Sequence, residues 1–232
     1  MALYVIGDTH LSEGCDKPMD VFGGVWEGYR DKLIESFSVL QPEDLLVICG
    51  DFSWGMSLQE ALPDFRLLER FPGKKLLLKG NHDYWWETVT KMRRFFAENQ
   101  IKTIDFLHNS CYFYDGIALC GTRGWFYDKN DPAACDDKIF KRELIRLEAS
   151  LKAAMSDGAE QIDCFLHYPP IFAGAEVPQI MEILERYPVR HVYYGHLHAE
   201  SLRHAFSGIR RGIEFTVVSA DALGFCPIRI SK

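Results

Sequence analysis

No run of about eighteen apolar residues, the length that a membrane-spanning helix needs, occurs in the sequence. The first residues also contain no charged stretch followed by an extended apolar segment, because the strand-like segment LYVIG begins at Leu3. These absences predict a chain with neither a signal peptide nor a membrane span.

Cysteine pairs are also missing. The cysteines are odd in number, scattered, and include no C-x-x-C pair: Cys15, Cys49, Cys111, Cys120, Cys135, Cys164 and Cys226. A disulfide framework and a thiolate zinc site both depend on paired spacings, so the pattern favours the reducing cytoplasm.

The sequence also contains fewer basic than acidic residues, which gives a formal net charge of -7. This balance argues against a broad basic face, so we expect neither long nucleic acid nor an anionic membrane surface as a partner. It remains compatible with a local cationic site. The chain has no low-complexity tract, and its 232 residues predict one globular domain spanning 1–232. The oligomeric state is left open.

Short apolar runs rich in strand-forming residues each end in glycine and polar residues: ALYVIGDTH, DLLVICGDFSW, KKLLLKGNHD, DCFLHYPP and HVYYGHLH. Continuous apolar runs are typical of strands covered on both faces in a layered α/β fold. The polar residues then fall at the strand ends, where sites in such folds usually lie.

Amphipathic segments between these runs predict helices over Tyr29–Leu40, Ser57–Phe71, Trp86–Asn99, Asp136–Met155 and Val177–Tyr187. After Glu200 the sequence RHAFSGIRRGIEFTVVSA, followed by CPIRI, predicts a β-meander.

The strand-end motifs carry a set of oxygen and imidazole donors without a thiolate. They are Asp8 and His10 in GDTH, Asp51 in GDFSW, Asn81 and His82 in GNHD, His167 in LHYPP, and His196 and His198 in GHLH. Such donors suit Mn, Fe or Zn. Without His82 they exceed what one tetrahedral ion needs, and with one shared carboxylate they are enough for two ions about 3.5–4 Å apart.

These blocks, in this order, resemble the calcineurin-like metallophosphoesterases, whose pattern is D-x-H, G-D, G-N-H-D/E, H and G-H-x-H. The blocks span Gly7 to His198. Each block alone is weak evidence, but the ordered set is highly specific. The resemblance implies an α/β fold, a four-layer sandwich of two mixed β-sheets flanked by helices, with a dinuclear metal site at the strand ends.

The resemblance also implies a role for each residue. One ion would be bound by Asp8, His10 and His198, and the other by Asn81, His167 and His196, with Asp51 bridging both. His82 would face the substrate as proton donor or phosphate ligand. A hydroxide activated by the two ions would attack phosphorus in line.

One block departs from the Ser/Thr protein phosphatase branch of the family, which reads G-D-x-x-D-R-G. Its later Asp, which orients the catalytic His, and its phosphate-binding Arg are replaced here by Trp54 and Gly55. We therefore expect a small phosphomonoester or phosphodiester as substrate rather than a phosphoprotein. What orients His82 is left open, with the neighbouring Asp83 as one candidate.

Other residues are candidates for substrate contacts. Arg123, between glycines in GTRGW, could pair phosphate oxygens, although an Arg on a solvated turn is an equally good interpretation. Trp54 and Trp125 are candidates for a wall against an apolar or aromatic leaving group. The histidines outside any block, His108, His191 and His204, are predicted to be structural or exposed.

Two other functions stay open. One is an inert metal-binding scaffold that recruits partners, and the other is a nuclease acting on short single strands. The nuclease hypothesis rests on Tyr84, Trp85 and Trp86, which could stack bases. Packing of at least two of them in the core of the following helix is the favoured interpretation.

Overall fold

The computed structural model describes residues 1–125 and 137–230, and its strands form two large mixed sheets. In the first sheet, four neighbouring strands run parallel: β1 (Leu3–Ile6), β2 (Leu45–Ile48), β3 (Lys74–Leu77) and β4 (Ile104–Phe106). The short β13 (Ile228–Arg229) pairs antiparallel with β1 at the edge of this sheet.

The second sheet is also parallel at its centre. Its strands, in spatial order, are β11 (Gly208–Arg210), β12 (Ile213–Val217), β10 (Val189–Tyr194), β7 (Ile162–Leu166), β6 (Ile117–Thr122) and β5 (Cys111–Tyr114). The two outer strands pair antiparallel with their neighbours, and the four inner ones are parallel. A small separate hairpin consists of β8 (Ile171–Phe172) and β9 (Ala175–Glu176).

The predicted helices are all present: α1 (Tyr29–Phe37), α2 (Leu58–Glu69), α3 (Val89–Glu98), α4 (Asp137–Ser156) and α5 (Pro178–Glu185). Four of them have shorter bounds than predicted, whereas α4 ends one residue later than predicted. Two of them begin late because a side chain caps them. The Ser57 hydroxyl accepts a hydrogen bond from the Glu60 amide, and the Thr88 hydroxyl accepts one from Lys91. Asp136, the predicted start of the fourth helix, lies outside the described residues.

Side-chain alternation along the strands produces three separate cores. Val5 and Phe165 point between the two sheets, where the inward faces pack on each other. Ile48 points to the opposite face of the first sheet, against α1, α2 and α3, and Cys164 points to the outer face of the second, against α4 and α5. The result is the four-layer α/β sandwich that the resemblance implies, with strands buried on both faces.

The predicted β-meander after Glu200 is wrong. The chain first forms a 3-10 helix (Ala199–His204), and then β11 and β12 form one hairpin in the second sheet. The last strand, β13, crosses to the first sheet and occupies the free edge of β1. Alternation in a sequence identifies strands but not their partners, and here that edge of β1 receives the final strand.

Two other findings concern expected absences. Among residues 1–125 and 137–230, no helix combines the length and hydrophobicity needed to cross a membrane. The six cysteines in the described part of the chain are free thiols, and Cys135 lies outside it. The single domain over 1–232 stays a prediction.

The packing between the sheets can be tested at Phe165, which is fully buried and stacks on Tyr193 with ring centroids 5.4 Å apart. We expect Phe165→Ala to lower the free energy of unfolding by about 3–5 kcal/mol, because it removes apolar contacts and leaves a cavity. The control is Ile145→Ala, at a side chain 68% exposed on α4, which should change stability by less than about 0.5 kcal/mol. Urea denaturation followed by circular dichroism measures both, and equal effects would contradict this packing.

Candidate metal centre

The polar residues of the sequence motifs all follow parallel strands, and the carboxyl ends of those strands meet at one edge of the sandwich. The two sheets are joined directly there. The Gly7 amide donates to Val218 O at 2.6 Å, and the His196 amide donates to both carboxylate oxygens of Asp8 at 2.9 and 3.0 Å. The structure brings together all the residues predicted as ligands: Asp8, His10, Asp51, Asn81, His167, His196 and His198.

Four of these residues have a left-handed backbone, with φ of 58° at Asp8, 46° at His10, 50° at Asp51 and 72° at His196. Such φ values are uncommon for residues with a side chain and cost about 1–3 kcal/mol each. The turns that leave β1, β2 and β10 therefore hold strained conformations, which is a recurrent feature of functional sites.

The first group of donors consists of Asp8, His10 and His198. The Nε2 atoms of His10 and His198 are 3.4 Å apart, and His198 Nε2 lies 3.5 Å from Asp8 Oδ1. Asp8 is fully buried and His10 nearly so. Three donor atoms this close could hold one cation.

The second group consists of Asn81, His167 and His196. Asn81 Oδ1 lies 2.6 Å from His167 Nε2 and 2.8 Å from His196 Nδ1, and the two ring nitrogens are 3.3 Å apart. Three donor atoms therefore point at one small space here as well.

Asp51 stands between the two groups. Its Oδ2 atom lies 3.8 Å from His10 Nε2 in the first group and 3.6 Å from His167 Nε2 in the second. Its other oxygen, Oδ1, accepts a hydrogen bond of 2.7 Å from the His82 amide. This geometry is what the predicted bridging carboxylate requires.

The protonation states of the two imidazoles in the second group are compatible with binding of a cation. His167 Nδ1 lies 3.0 Å from Cys49 O, and a carbonyl can only accept, so Nδ1 carries the proton and Nε2 presents a lone pair. Burial lowers the pKa of His167 to about 3 and that of His196 to about 4, which keeps both imidazoles neutral. The lone pair on His167 Nε2, which faces Asn81 Oδ1 at 2.6 Å, is therefore free to coordinate a cation.

The short distances between buried carboxylates also favour a bound cation. Burial, followed by the charges of Asp83 and Asp8, raises the pKa of Asp51 well above its usual range. Buried carboxylates this close together need positive charge, and the donor set of oxygen and imidazole suits Mn, Fe or Zn.

Asp221 is a site residue that the sequence analysis missed. Its Oδ1 lies 2.9 Å from His198 Nδ1, and its Oδ2 accepts from the Ala199 amide at 2.9 Å. The carboxylate thus fixes the ring so that Nε2 faces Asp8. Burial alone would lower the pKa of His198, but the charges and hydrogen bonds of Asp8 and Asp221 raise it to about 10. The one feature of the sequence that could have identified Asp221 is its position directly after the apolar run FTVVSA, because the other site residues also follow apolar runs.

Asp83 does not orient His82, because its carboxylate points into the core. It accepts hydrogen bonds from the amides of Asp51 (2.9 Å), Phe52 (2.9 Å) and Gly80 (2.7 Å), and from the indole of Trp85 (3.0 Å). These donors belong to the turns after β2 and β3, so Asp83 holds the two turns together.

The two turns touch closely, and glycine makes this contact feasible. A Cβ at Gly80 would lie 2.1 Å from Asp51 Oδ1, and a Cβ at Gly50, where φ is 86°, would lie 2.7 Å from the Gly80 Cα. The absence of a side chain at Gly50 and Gly80 therefore lets the two backbones approach each other closely.

An aromatic ring, rather than an acid, lies beside His82. The rings of Trp54 and His82 have centroids 4.5 Å apart, and Trp54 also stacks on His10 at 4.8 Å. Among the described residues no group hydrogen-bonds to the buried His82 Nδ1. Burial lowers the pKa of His82, with the charge of Asp8 acting against it. Packing against Trp54 therefore positions the imidazole.

The aromatic residues after the GNH motif and the candidate substrate contact Arg123 lie in different environments. Trp85 is buried and Trp86 packs partly buried against the same core, whereas Tyr84 is 54% exposed. Arg123 lies near Glu143, with its guanidinium 4.8 Å from the centroid of Trp125.

The histidines outside the motifs do not join the site. His191 pairs with Asp163 at 2.8 Å, His204 is exposed, and His108 packs near Trp86 with ring centroids 5.7 Å apart.

Comparisons with known proteins agree with this geometry. A model of the family described as calcineurin-like phosphoesterase matches residues 1–200, whereas no curated protein matches the sequence. Among solved structures, the chain is similar to a phosphopantetheinyl hydrolase from Mycobacterium tuberculosis, with a TM-score of 0.60, 15% identity, and 94% of this chain and 88% of that chain covered. It is also similar to a protein of unknown function from Aquifex aeolicus, with a TM-score of 0.51, 20% identity, and 98% and 95% covered.

Identities this low show a common fold and nothing more about function. The match to the family extends over most of the sequence and includes every motif that supplies the clustered donors. The chain therefore belongs to the calcineurin-like phosphoesterases, a family of metal-dependent enzymes.

Proposed function

We propose that the protein hydrolyses a small phosphomonoester or phosphodiester with two divalent ions, Mn, Fe or Zn. Asp8, His10 and His198 would hold one ion, and Asn81, His167 and His196 the other, with Asp51 shared. The observation that carries the proposal is the position of Asp51 Oδ2, which lies within 4 Å of a ligand nitrogen in each group. When bound, the ions supply an activated water nucleophile and neutralise charge on the phosphoryl oxygens.

The protein's own residues prepare this chemistry by fixing the donors in advance. Asp221 sets the His198 ring and Cys49 O sets the His167 tautomer. Asp83 holds the turn of Asp51 against the turn of Asn81 through hydrogen bonds to Asp51 and Gly80. Donors positioned this way need little rearrangement, which favours tight binding and an efficient electrostatic environment.

His82 is the proposed proton donor to the leaving group. Its side chain is half-buried, and its ring centroid lies 5.8 Å from that of His10. Burial lowers its pKa in the free protein, and a bound phosphate would raise it again, because a nearby negative charge favours the imidazolium. Trp54 and Trp125 are proposed as walls for the leaving group, and Arg123 as a contact for an anion.

The inert scaffold is the competing function, and it also predicts bound metal. The single-strand nuclease is less well supported, since Trp85 and Trp86 pack in the core and Tyr84 alone of the three is an exposed ring.

The first test is reconstitution of metal-stripped protein with manganese, followed by hydrolysis of an aryl phosphomonoester and the matching aryl phosphodiester. We expect turnover of at least one of them that disappears on chelation. A preference for the diester would direct the search for the substrate to small diesters, and a preference for the monoester to phosphorylated metabolites. Bound metal with no turnover of either ester would favour the scaffold.

Two substitutions should separate metal binding from proton donation. We expect Asp51→Asn to lose metal and activity together, since the shared carboxylate holds both groups. We expect His82→Ala to keep its metal content and lose about 10²–10⁴-fold in kcat, the usual contribution of a general acid. The control is His204→Ala, at an exposed histidine. Full activity in His82→Ala would remove this residue from the mechanism.

Asp221 should affect metal affinity without touching the metal. We expect Asp221→Asn to weaken manganese binding about 10–100-fold, because the His198 ring loses its orienting carboxylate. Asp163→Asn is a matched control, since Asp163 makes a similar bond of 2.8 Å to His191 away from the site. Calorimetric titration with manganese measures both, and equal affinities in the two variants would contradict a role for Asp221.

A further inference from the structure

A group of cationic side chains lies next to the second group of donors. This cation cluster consists of Arg123 and Arg146, which both lie within 4 Å of the Glu143 carboxylate, and of Lys79, whose charge interacts with those of both arginines and Glu143. Lys79 lies two residues before Asn81 in the turn after β3. The Arg123 carbonyl, after the end of β6, accepts a hydrogen bond of 3.1 Å from the His167 amide. The cluster is therefore continuous with the proposed metal centre.

The charges in this cluster do not balance. Glu143 is buried, and its oxygens are already contacted by the Thr122 hydroxyl at 2.6 Å and by Arg146 Nη1 at 2.6 Å. Arg123 Nη2 is more distant, at 3.6 Å from the same carboxylate, and Lys79 experiences the charges of both arginines. Lys79 also experiences the charge of Asp83, whose carboxylate already accepts hydrogen bonds in the core. Three cations beside these two carboxylates still leave an excess of positive charge in a half-buried place, which is unfavourable without an anion.

Arg123 has hydrogen-bond donors to spare. Its side chain is 16% exposed, and its Nε atom is buried without a partner among the described residues. The guanidinium lies over the Trp125 ring, which limits its rotation. A guanidinium held in this way can form two parallel hydrogen bonds to a carboxylate or a phosphate.

A purely structural role for the cation cluster would require fewer cations than are present. Arg146, which sits one helical turn after Glu143 on α4, already forms the short pair with it. That pair, together with the Thr122 hydroxyl, is sufficient to join α4 to β6. Within residues 1–125 and 137–230, the structural role accounts for neither Lys79 nor the unpaired Nε atom of Arg123.

The cluster lies on the side of the site away from His82. Trp125, which carries the Arg123 guanidinium on its ring, packs on Tyr168. Tyr168 in turn packs on His196 of the second group, with ring centroids 4.2 Å apart.

The His82 ring instead lies beside His10 of the first group. Lys17 Nζ lies 5.7 Å from the centroid of Trp54, which marks the side of the proton donor. A leaving group protonated by His82 would occupy that side.

We propose that Arg123, Lys79 and Arg146 form a subsite for a second anionic group, a phosphate or carboxylate, on the part of the substrate that stays attached to the attacked phosphorus. A phosphomonoester has no such part. The inference rests on the proposed function and sharpens it: the substrate is a phosphodiester or diphosphate whose retained half is negatively charged. The cluster also offers an anionic substrate a local attraction that the net charge of the chain opposes.

The kinetic test uses the full chain loaded with manganese and three para-nitrophenyl phosphodiesters. Their second ester group is ethyl, carboxyethyl or phosphoethyl. We expect kcat/KM to be about 10–100-fold higher for at least one charged probe than for the ethyl probe, the usual range for charge-assisted pairs. The better of the two charged probes identifies the anion as phosphate or carboxylate.

Arg123→Gln should remove this preference, mostly through a higher KM, so that kcat/KM falls more for the charged probes than for the ethyl probe. Lys79→Gln provides a second variant in case Arg123→Gln fails to fold. Arg190→Gln, at an exposed arginine where β10 begins, should leave all three rates unchanged. An equal loss on all three probes in Arg123→Gln and Lys79→Gln would overturn the subsite while leaving the proposed function in place.

A binding measurement makes the subsite testable without turnover. We expect calorimetry on the manganese-loaded protein to show phosphonopropionate or ethylenediphosphonate, whose second group is a carboxylate or a phosphonate, binding at least about tenfold tighter than propylphosphonate. This ratio should fall toward one in Arg123→Gln. Equal affinities for all three ligands in the unmodified protein would refute the subsite. Tight binding of phosphonopropionate or ethylenediphosphonate without hydrolysis of any ester would support the subsite and refute the proposed function.

Discussion

The buried carboxylate of Asp83 is the constraint on which the site depends. It accepts hydrogen bonds from the amides of Asp51 and Gly80, and so ties the turns after β2 and β3 to each other. Charge-assisted bonds of this kind are strong in a dry interior, and several on one carboxylate reinforce one another. The Asp51 carboxylate, proposed to be shared by two ions, and the neighbouring Asn81, proposed as a ligand, are therefore held in fixed positions relative to each other.

Much of the architecture could be predicted because it follows from local rules. Continuous apolar runs indicated strands covered on both faces in a layered α/β fold, and the family resemblance implied the four-layer sandwich. The ligands could be named because parallel strands place their carboxyl ends together, so residues far apart, such as Asp8 and His198, meet at one edge. Chain order and residue type carried this information without any knowledge of distances.

What could not be predicted depends on partners across the chain. Asp221 acts through a ring more than twenty residues earlier, and no local pattern connects the two. Asp83 stood beside His82 in the sequence, yet its side chain points into the core. The left-handed backbone at Asp8 and Asp51 is also invisible in a sequence, because neither residue type requires it. The sheet that the last strand joins could not be predicted for the same reason, since alternation does not specify which edge a strand joins.

The pairing of β13 with β1 has a consequence for the order of assembly. A β-bridge between Gly7 and Ser219 lies close by, so the segment that contains Asp8 is completed by residues more than two hundred positions later. Contacts between such distant segments form slowly, because a long loop must close first. During synthesis on the ribosome the early strands must wait for late ones. A nascent chain that ends before Asp221 would lack both the acid that orients His198 and the strand that pairs with β1. Binding of metal at this site would therefore indicate that nearly the whole fold has formed.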